Sequence, residues 1–137
     1  MSLNAIEKTL SPNDTGETGA HQAGIHVPKE SGVLGFFPQL DAKIKNPRVP
    51  IDVVDDAGRE WTFVFIYYNN RRFGGTRNEY RLTGMTAFFR EFNLRAGDKV
   101  TLRRESPRVV KIGFVRAGKK DGPIQLSATW KVIQTEF

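Results

Sequence analysis

Apolar and polar residues alternate in short runs along most of the chain, each bounded by Gly, Pro, Asn or Asp, the period-two signature of half-buried strands. The pattern predicts strands over Ala5 to Leu10, His21 to Val27, Val49 to Val54, Glu60 to Tyr68, Tyr80 to Thr83, Asp98 to Arg104, Val109 to Arg116 and Ile124 to Ile133. Two stretches break the alternation. Ser31 to Phe37 predicts a short, glycine-weakened helix with Ser31 as N-cap and Pro38 ending it. In Thr83 to Asn93, Met85, Phe88, Phe89 and Phe92 fall at i, i+3, i+4 and i+7, an apolar stripe that predicts a core helix plugging one end of a β-barrel. Leu94 to Asp98 is then a turn into the next strand. Ser11 to Gly19 and Asn69 to Glu79 have the composition of loops, and irregular loops of about ten residues on a compact β scaffold often carry function.

A chain of 137 residues is the size of one domain with a single core, so residues 1–137 are taken as one unit, expected to be monomeric in isolation. Without cysteine there is no disulfide, no thiolate catalysis and no cysteine-ligated zinc. The first residues lack a charged region followed by an apolar one, and no apolar run approaches membrane-spanning length, so the expectation is a soluble, cytoplasmic protein with no membrane partner.

Charge changes the picture more than composition does. Residues 1–60 carry six Lys/Arg against nine Asp/Glu, a net of −3, whereas residues 61–137 carry fifteen against six, a net of +9. Clustered cations release condensed counterions from a phosphate backbone, so the asymmetry points to a polyanionic partner. Residues 103 to 120 hold Arg103, Arg104, Arg108, Lys111, Arg116, Lys119 and Lys120 against Glu105 alone, which suits sequence-independent attraction to a backbone.

The loop 69–81 has a different vocabulary. It sets Arg71, Arg72, Arg77 and Arg81 among amides, aromatics, two glycines and Glu79. Arginine presents a planar fork to guanine O6 and N7, asparagine pairs with adenine, and glutamate accepts from cytosine N4. A site meant only for phosphates gains nothing from Glu79. It either pairs with Arg77 or Arg81 or reads a cytosine edge, and the two roles are compatible. The bland alternative is a solvated hairpin tip with scattered ion pairs.

Other chemistries fit poorly. Gly19 and Gly24 have the GxxxxG spacing of a phosphate-binding loop, but Ile25 and His26 stand where Lys and Ser/Thr are required. His21 and His26 would fall on opposite faces of a strand, which argues against a shared metal. The one Asp-x-Lys tripeptide, Asp41-Ala42-Lys43, has no Pro-Asp dipeptide to complete a nuclease core, and no catalytic residue, metal or cofactor is assigned. Single-strand binding is a rival, with Tyr67, Tyr68, Phe73 and Tyr80 as stacking platforms.

Leu10 to Ile25 (LSPNDTGETGAHQAGI) and Ile66 to Thr83 (IYYNNRRFGGTRNEYRLT) closely resemble the N-terminal effector domain of EcoRII-type restriction endonucleases, in the right order and at about the right separation. The stretch Arg81 to Val100, a helix before a Leu-x-x-Gly-Asp turn, resembles the plant B-three domain. The resemblance implies a mainly β (α+β) fold: an open seven- to eight-stranded DNA-binding pseudobarrel with two short helices. It implies that two arms grip double-stranded DNA from the major groove. Carried over by position, Lys8, Asn13, Asp14, His21 and Gln22 belong to the N-arm, and Asn69, Arg71, Arg77, Asn78, Glu79 and Arg81 to the C-arm. Arg71 and Glu79 are assigned a G·C step, with Arg77, Arg81 and Lys8 nearer the backbone. Gly75 and Tyr80 stand where the family's C-arm carries lysines. The resemblance further implies a CC(A/T)GG-like pseudopalindrome as target and a nuclease domain of the same parent protein as partner, or alternatively a stand-alone regulator of the same fold.

Overall fold

The computed structural model describes residues 5–16, 24–29, 32–117 and 130–133. Among the described residues there are eight strands: β1 (Ala5–Thr9), β2 (Ile25–Val27), β3 (Arg48–Val54), β4 (Glu60–Tyr68), β5 (Glu79–Thr83), β6 (Lys99–Ser106), β7 (Val109–Val115) and β8 (Trp130–Val132). They fall where the alternation places them. His21, Gln22 and residues 124–129 of the expected strands lie outside the described residues. Among the described residues the helical elements are short: α1 (Pro12–Thr15), α2 (Thr86–Glu91) and two 3-10 turns, Gly32–Phe36 and Asn70–Phe73. The helix expected at 31–37 is thus a 3-10 turn over Gly32–Phe36, its expected N-cap Ser31 lying outside the described residues, and the loop expected after Ser11 opens with a helical turn.

All eight strands form one sheet in the order β2-β5-β4-β3-β7-β6-β1-β8. Pairing is antiparallel except between β3 and β7, which run parallel with Val53 opposite Val110. The two ends of the sheet meet where the Trp130 indole N–H donates to the His26 carbonyl at 2.9 Å. Curling the sheet until its edge strands touch gives a nearly closed barrel, which limits unpaired edge.

The inward face of each strand supplies the core. Trp61, Phe63 and Phe65 alternate along β4, Val100 and Leu102 along β6, and Val110 and Ile112 along β7, all buried. The stripe on α2 closes one end as expected. Phe88 is fully buried, with its ring 5.2 Å from Trp61, 4.9 Å from Phe92 and 6.3 Å from Phe114 between centroids. Burying such a ring contributes about 1.5–3 kcal/mol from apolar area alone.

Two aspartates fix turns. In the β3–β4 hairpin Asp55 accepts the Ala57 and Arg59 backbone N–H groups on Oδ1 and the Trp61 indole N–H on Oδ2. The Trp61 hydrogen bond, joined by those of the backbone, holds the Asp55 carboxyl below its usual range against the opposing effect of burial. In the turn before β6, Asp98 accepts from Arg95 N on Oδ2 and Ala117 N on Oδ1, both at 2.8 Å. The same turn pairs with the chain leaving β1, through Leu10 N to Asp98 O and Gly97 N to Leu10 O.

Candidate nucleic-acid interface

The β4–β5 connection is an ordered structure. Asn70 organises it: its Oδ1 accepts the Arg77 N–H and its backbone carbonyl accepts the Gly75 N–H, both at 2.7 Å. A Cβ at position 75 would lie 2.7 Å from Asn70 Cγ, so the loop closes because residue 75 is glycine. Arg71 N donates to Arg77 O at 3.0 Å and ties the two sides together.

Asn69, a C-arm candidate, is fully buried. Its Nδ2 donates to Ala42 O at 3.0 Å and Ile44 O at 2.8 Å, and its Oδ1 accepts from Asn46 N at 2.7 Å. With both amide protons and the carbonyl engaged inside the protein, Asn69 has nothing to offer a base edge. It anchors the base of the C-arm to which the resemblance assigns it.

Arg77, Glu79 and Arg81 meet at the arm's base. Both guanidinium groups fall on one carboxylate oxygen, Glu79 Oε2: Arg77 at 3.3 Å, and Arg81 in a shorter contact. Glu79 Oε1 has no hydrogen bond among the described residues. Burial would raise the Glu79 carboxyl, but the hydrogen bonds and charges of Arg81 and Arg77 outweigh it and hold the group below its ordinary value. The intramolecular pairing expected of Glu79 therefore forms with both arginines at once. Arg77 also lies over the Tyr68 ring, 3.8 Å from its centroid. Arg81 donates to Gly24 O at 3.0 Å, joining the C-arm strand to the end of the N-arm. Gly24 has φ +109°, and a Cβ there would lie 2.1 Å from the Leu82 carbonyl oxygen.

Asn78 is exposed, and its Oδ1 accepts from the Tyr67 hydroxyl at 2.6 Å and from Lys29 Nζ. Its Nδ2 makes no hydrogen bond among the described residues and remains a donor for a partner. Arg71 is exposed at the tip. Beneath them an aromatic column runs out from the core: Phe37 on Phe65 at 4.5 Å, Phe65 on Tyr80 at 5.6 Å, and Tyr80 on Tyr67 at 4.2 Å, all stacked. Burial, with Tyr67 alongside, pushes the Tyr80 hydroxyl pKa up, so it stays protonated.

In the N-arm, α1 is closed by a capping box that the sequence reading missed. Asp14 N donates to Ser11 Oγ at 3.1 Å, and Ser11 N donates to Asp14 Oδ2 at 2.9 Å. The Ser11-Pro-Asn-Asp14 spacing was the available signal. Lys8, only 6% exposed, sets its ammonium 3.0 Å from Asp14 Oδ2. These two candidates thus shape the arm from within, with Lys8 on β1 in the barrel wall and its ammonium engaged by Asp14. Asn13 is exposed on α1. His21 and Gln22 lie outside the described residues.

A nearly closed eight-stranded sheet with a capping helix and two elaborated connections defines the DNA-binding pseudobarrel fold. A chain of the Arabidopsis FUS3–DNA complex matches it at TM-score 0.63 and 22% identity, over 82% of this chain and 96% of that one. Residues 2–96 match the family of the N-terminal part of restriction endonuclease EcoRII, and the chain belongs to that family. It is 42% identical over 85 residues to the type II restriction enzyme EcoRII of Escherichia coli, covering 56% of this chain and 19% of that protein. It is 35% identical over 110 residues to the B3 domain-containing transcription repressor VAL1 of Arabidopsis thaliana, covering 78% of this chain and 12% of that protein. The chain therefore spans a fifth or less of these two curated relatives.

Proposed function

We propose that this domain binds double-stranded DNA sequence-specifically, reading a short G/C-containing pseudopalindrome of the CC(A/T)GG kind from the major groove, and that it is a non-catalytic targeting or effector module of a larger restriction endonuclease. The observation that carries the reading is the Arg77–Glu79–Arg81 cluster, in which a carboxylate whose second oxygen makes no hydrogen bond among the described residues is held in place by two arginines. Such a group accepts from cytosine N4 without being left as an unpaired negative charge beside phosphates. Arg71 and Asn78 add an exposed fork and an exposed amide donor on the same connection. EcoRII family membership and the 42% identity to EcoRII support the restriction context.

Single-strand stacking is disfavoured, because Tyr67 and Tyr80 stack on each other and Tyr68 is covered by Arg77, which leaves Phe73 as the one exposed ring of the four candidates. A stand-alone regulator on the same fold is a second reading, favoured by the similarity to VAL1. The test is a gel-shift titration against a duplex carrying CC(A/T)GG and a scrambled control at fixed salt without magnesium. A preference of about a hundredfold or more, within the range of specific over non-specific binding, is expected. Equal binding to both duplexes refutes the assigned target. Repeating the titration with the full-length parent protein and magnesium separates the two contexts: cleavage supports the endonuclease, and binding alone supports the regulator.

A further inference from the structure

The turn 41–48, which leads from the first 3-10 turn into the first residue of β3, belongs to neither arm, yet it is welded to the C-arm. Asn46 and Asn69 exchange reciprocal bonds, Asn46 N to Asn69 Oδ1 at 2.7 Å and Asn69 N to Asn46 Oδ1 at 3.2 Å. Asn69 Nδ2 adds its bonds to Ala42 O and Ile44 O, and Arg72 reaches from the arm to Ala42 O at 3.2 Å. Tyr67 N closes the far end on Pro47 O at 3.0 Å. Whatever the C-arm grips, this turn is presented with it as one piece.

The turn is also cationic. Lys43, Lys45 and Arg48 are exposed, and none forms an ion pair among the described residues. Asp41, the turn's one carboxylate, accepts the Lys43 backbone N–H at 3.0 Å and so helps hold the bend. The contrast with Arg77 and Arg81 is instructive, since those share a carboxylate and are oriented by it. Exposed cations without a carboxylate retain their charge for a polyanion, and each phosphate they neutralise releases counterions.

From this arrangement we propose that the turn 41–48 is a third DNA-contacting element, a phosphate clamp in which Lys43, Lys45 and Arg48 hold the backbone beside the C-arm without reading bases. The inference rests on the proposed duplex binding and extends its footprint beyond the two arms.

The test is fluorescence-anisotropy binding over a series of sodium chloride concentrations, on specific and scrambled duplexes, with the wild-type chain, Lys43→Ala/Lys45→Ala and Lys43→Glu/Lys45→Glu. Thermal unfolding checks that the exposed substitutions leave the fold intact. For the alanine pair the slope of log affinity against log salt should fall by about 1–2, since each phosphate contact contributes close to 0.9. Affinity should drop by a similar factor on both duplexes, leaving their ratio unchanged, and charge reversal should weaken both further. Unchanged slopes in both variants overturn the clamp while leaving the two-arm reading standing. A lost slope with no wild-type preference between duplexes supports the clamp and refutes the target, and a wild type that binds neither duplex overturns both.

Discussion

Replacing Glu79 with alanine tests the central cluster, because binding and stability should respond on different scales. In the folded protein Glu79 Oε2 accepts from two arginines, one of them with a side chain 41% exposed. Partly exposed ion pairs of this kind are screened and contribute at most about 1 kcal/mol each, so the loss in stability should be small. The binding effect should be larger and depend on the duplex. A lost acceptor at a cytosine edge costs about 1–3 kcal/mol, or roughly 5- to 150-fold in affinity, on the specific duplex. On a scrambled duplex the same change removes a negative charge and releases Arg77 and Arg81, so affinity there should hold or rise. Glu79→Gln, which keeps an acceptor oxygen but no charge, should fall between the two. Anisotropy titrations on both duplexes, with thermal unfolding alongside, measure all of this. Equal loss on the two duplexes would show that Glu79 only positions the arm, and no loss on the specific duplex would refute its role as a reader.

Three further outcomes follow from the same structure. Glu79 has its folded pKa held below the ordinary value, so its contribution to stability is complete above the unfolded value of about 4.3 and is lost as pH falls through the lower folded one. The stability gap between wild type and Glu79→Gln, measured by urea unfolding across acid pH, should therefore close as pH drops; a gap that widens contradicts the assigned direction. Phe88→Ala removes the ring at the centre of the α2 cluster and should cost about 3–5 kcal/mol by urea unfolding, and a loss below about 1 kcal/mol would show that α2 does not plug the barrel. Asn69→Ala leaves the Ala42 and Ile44 carbonyls and the Asn46 N–H without their partner, at about 1–3 kcal/mol for a buried group so orphaned. It should lower affinity for specific and scrambled duplexes together, whereas a selective loss on the specific duplex would show that Asn69 contributes to base reading and refute its purely anchoring role.

The amino-acid pattern by itself determined the elements. Alternation marks a strand wherever one face is buried, so β4 was legible to the residue from Glu60 to Tyr68, and the 3.6-residue stripe of Met85, Phe88, Phe89 and Phe92 marked α2, because both signals arise from burial on a fixed local period. The density of arginine and amide in 69–81 likewise marked the arm, and two long blocks of similarity pointed to the family. What a residue does within an arm depends on long-range contacts, which carry no local period. Asn69 and Asn78 look alike in sequence, yet one is sealed by the turn at 42–46 and the other is exposed with a donor that no described residue engages. Lys8 falls on a strand face where a solvent-facing lysine is ordinary, and only the fold of α1 brings Asp14 over it. The parallel β3–β7 pair and the Trp130–His26 closure join residues far apart in the chain, as does the union of the turn 41–48 with the C-arm. Tertiary structure alone decided these, because a hydrogen bond between distant segments exists only once both have been placed.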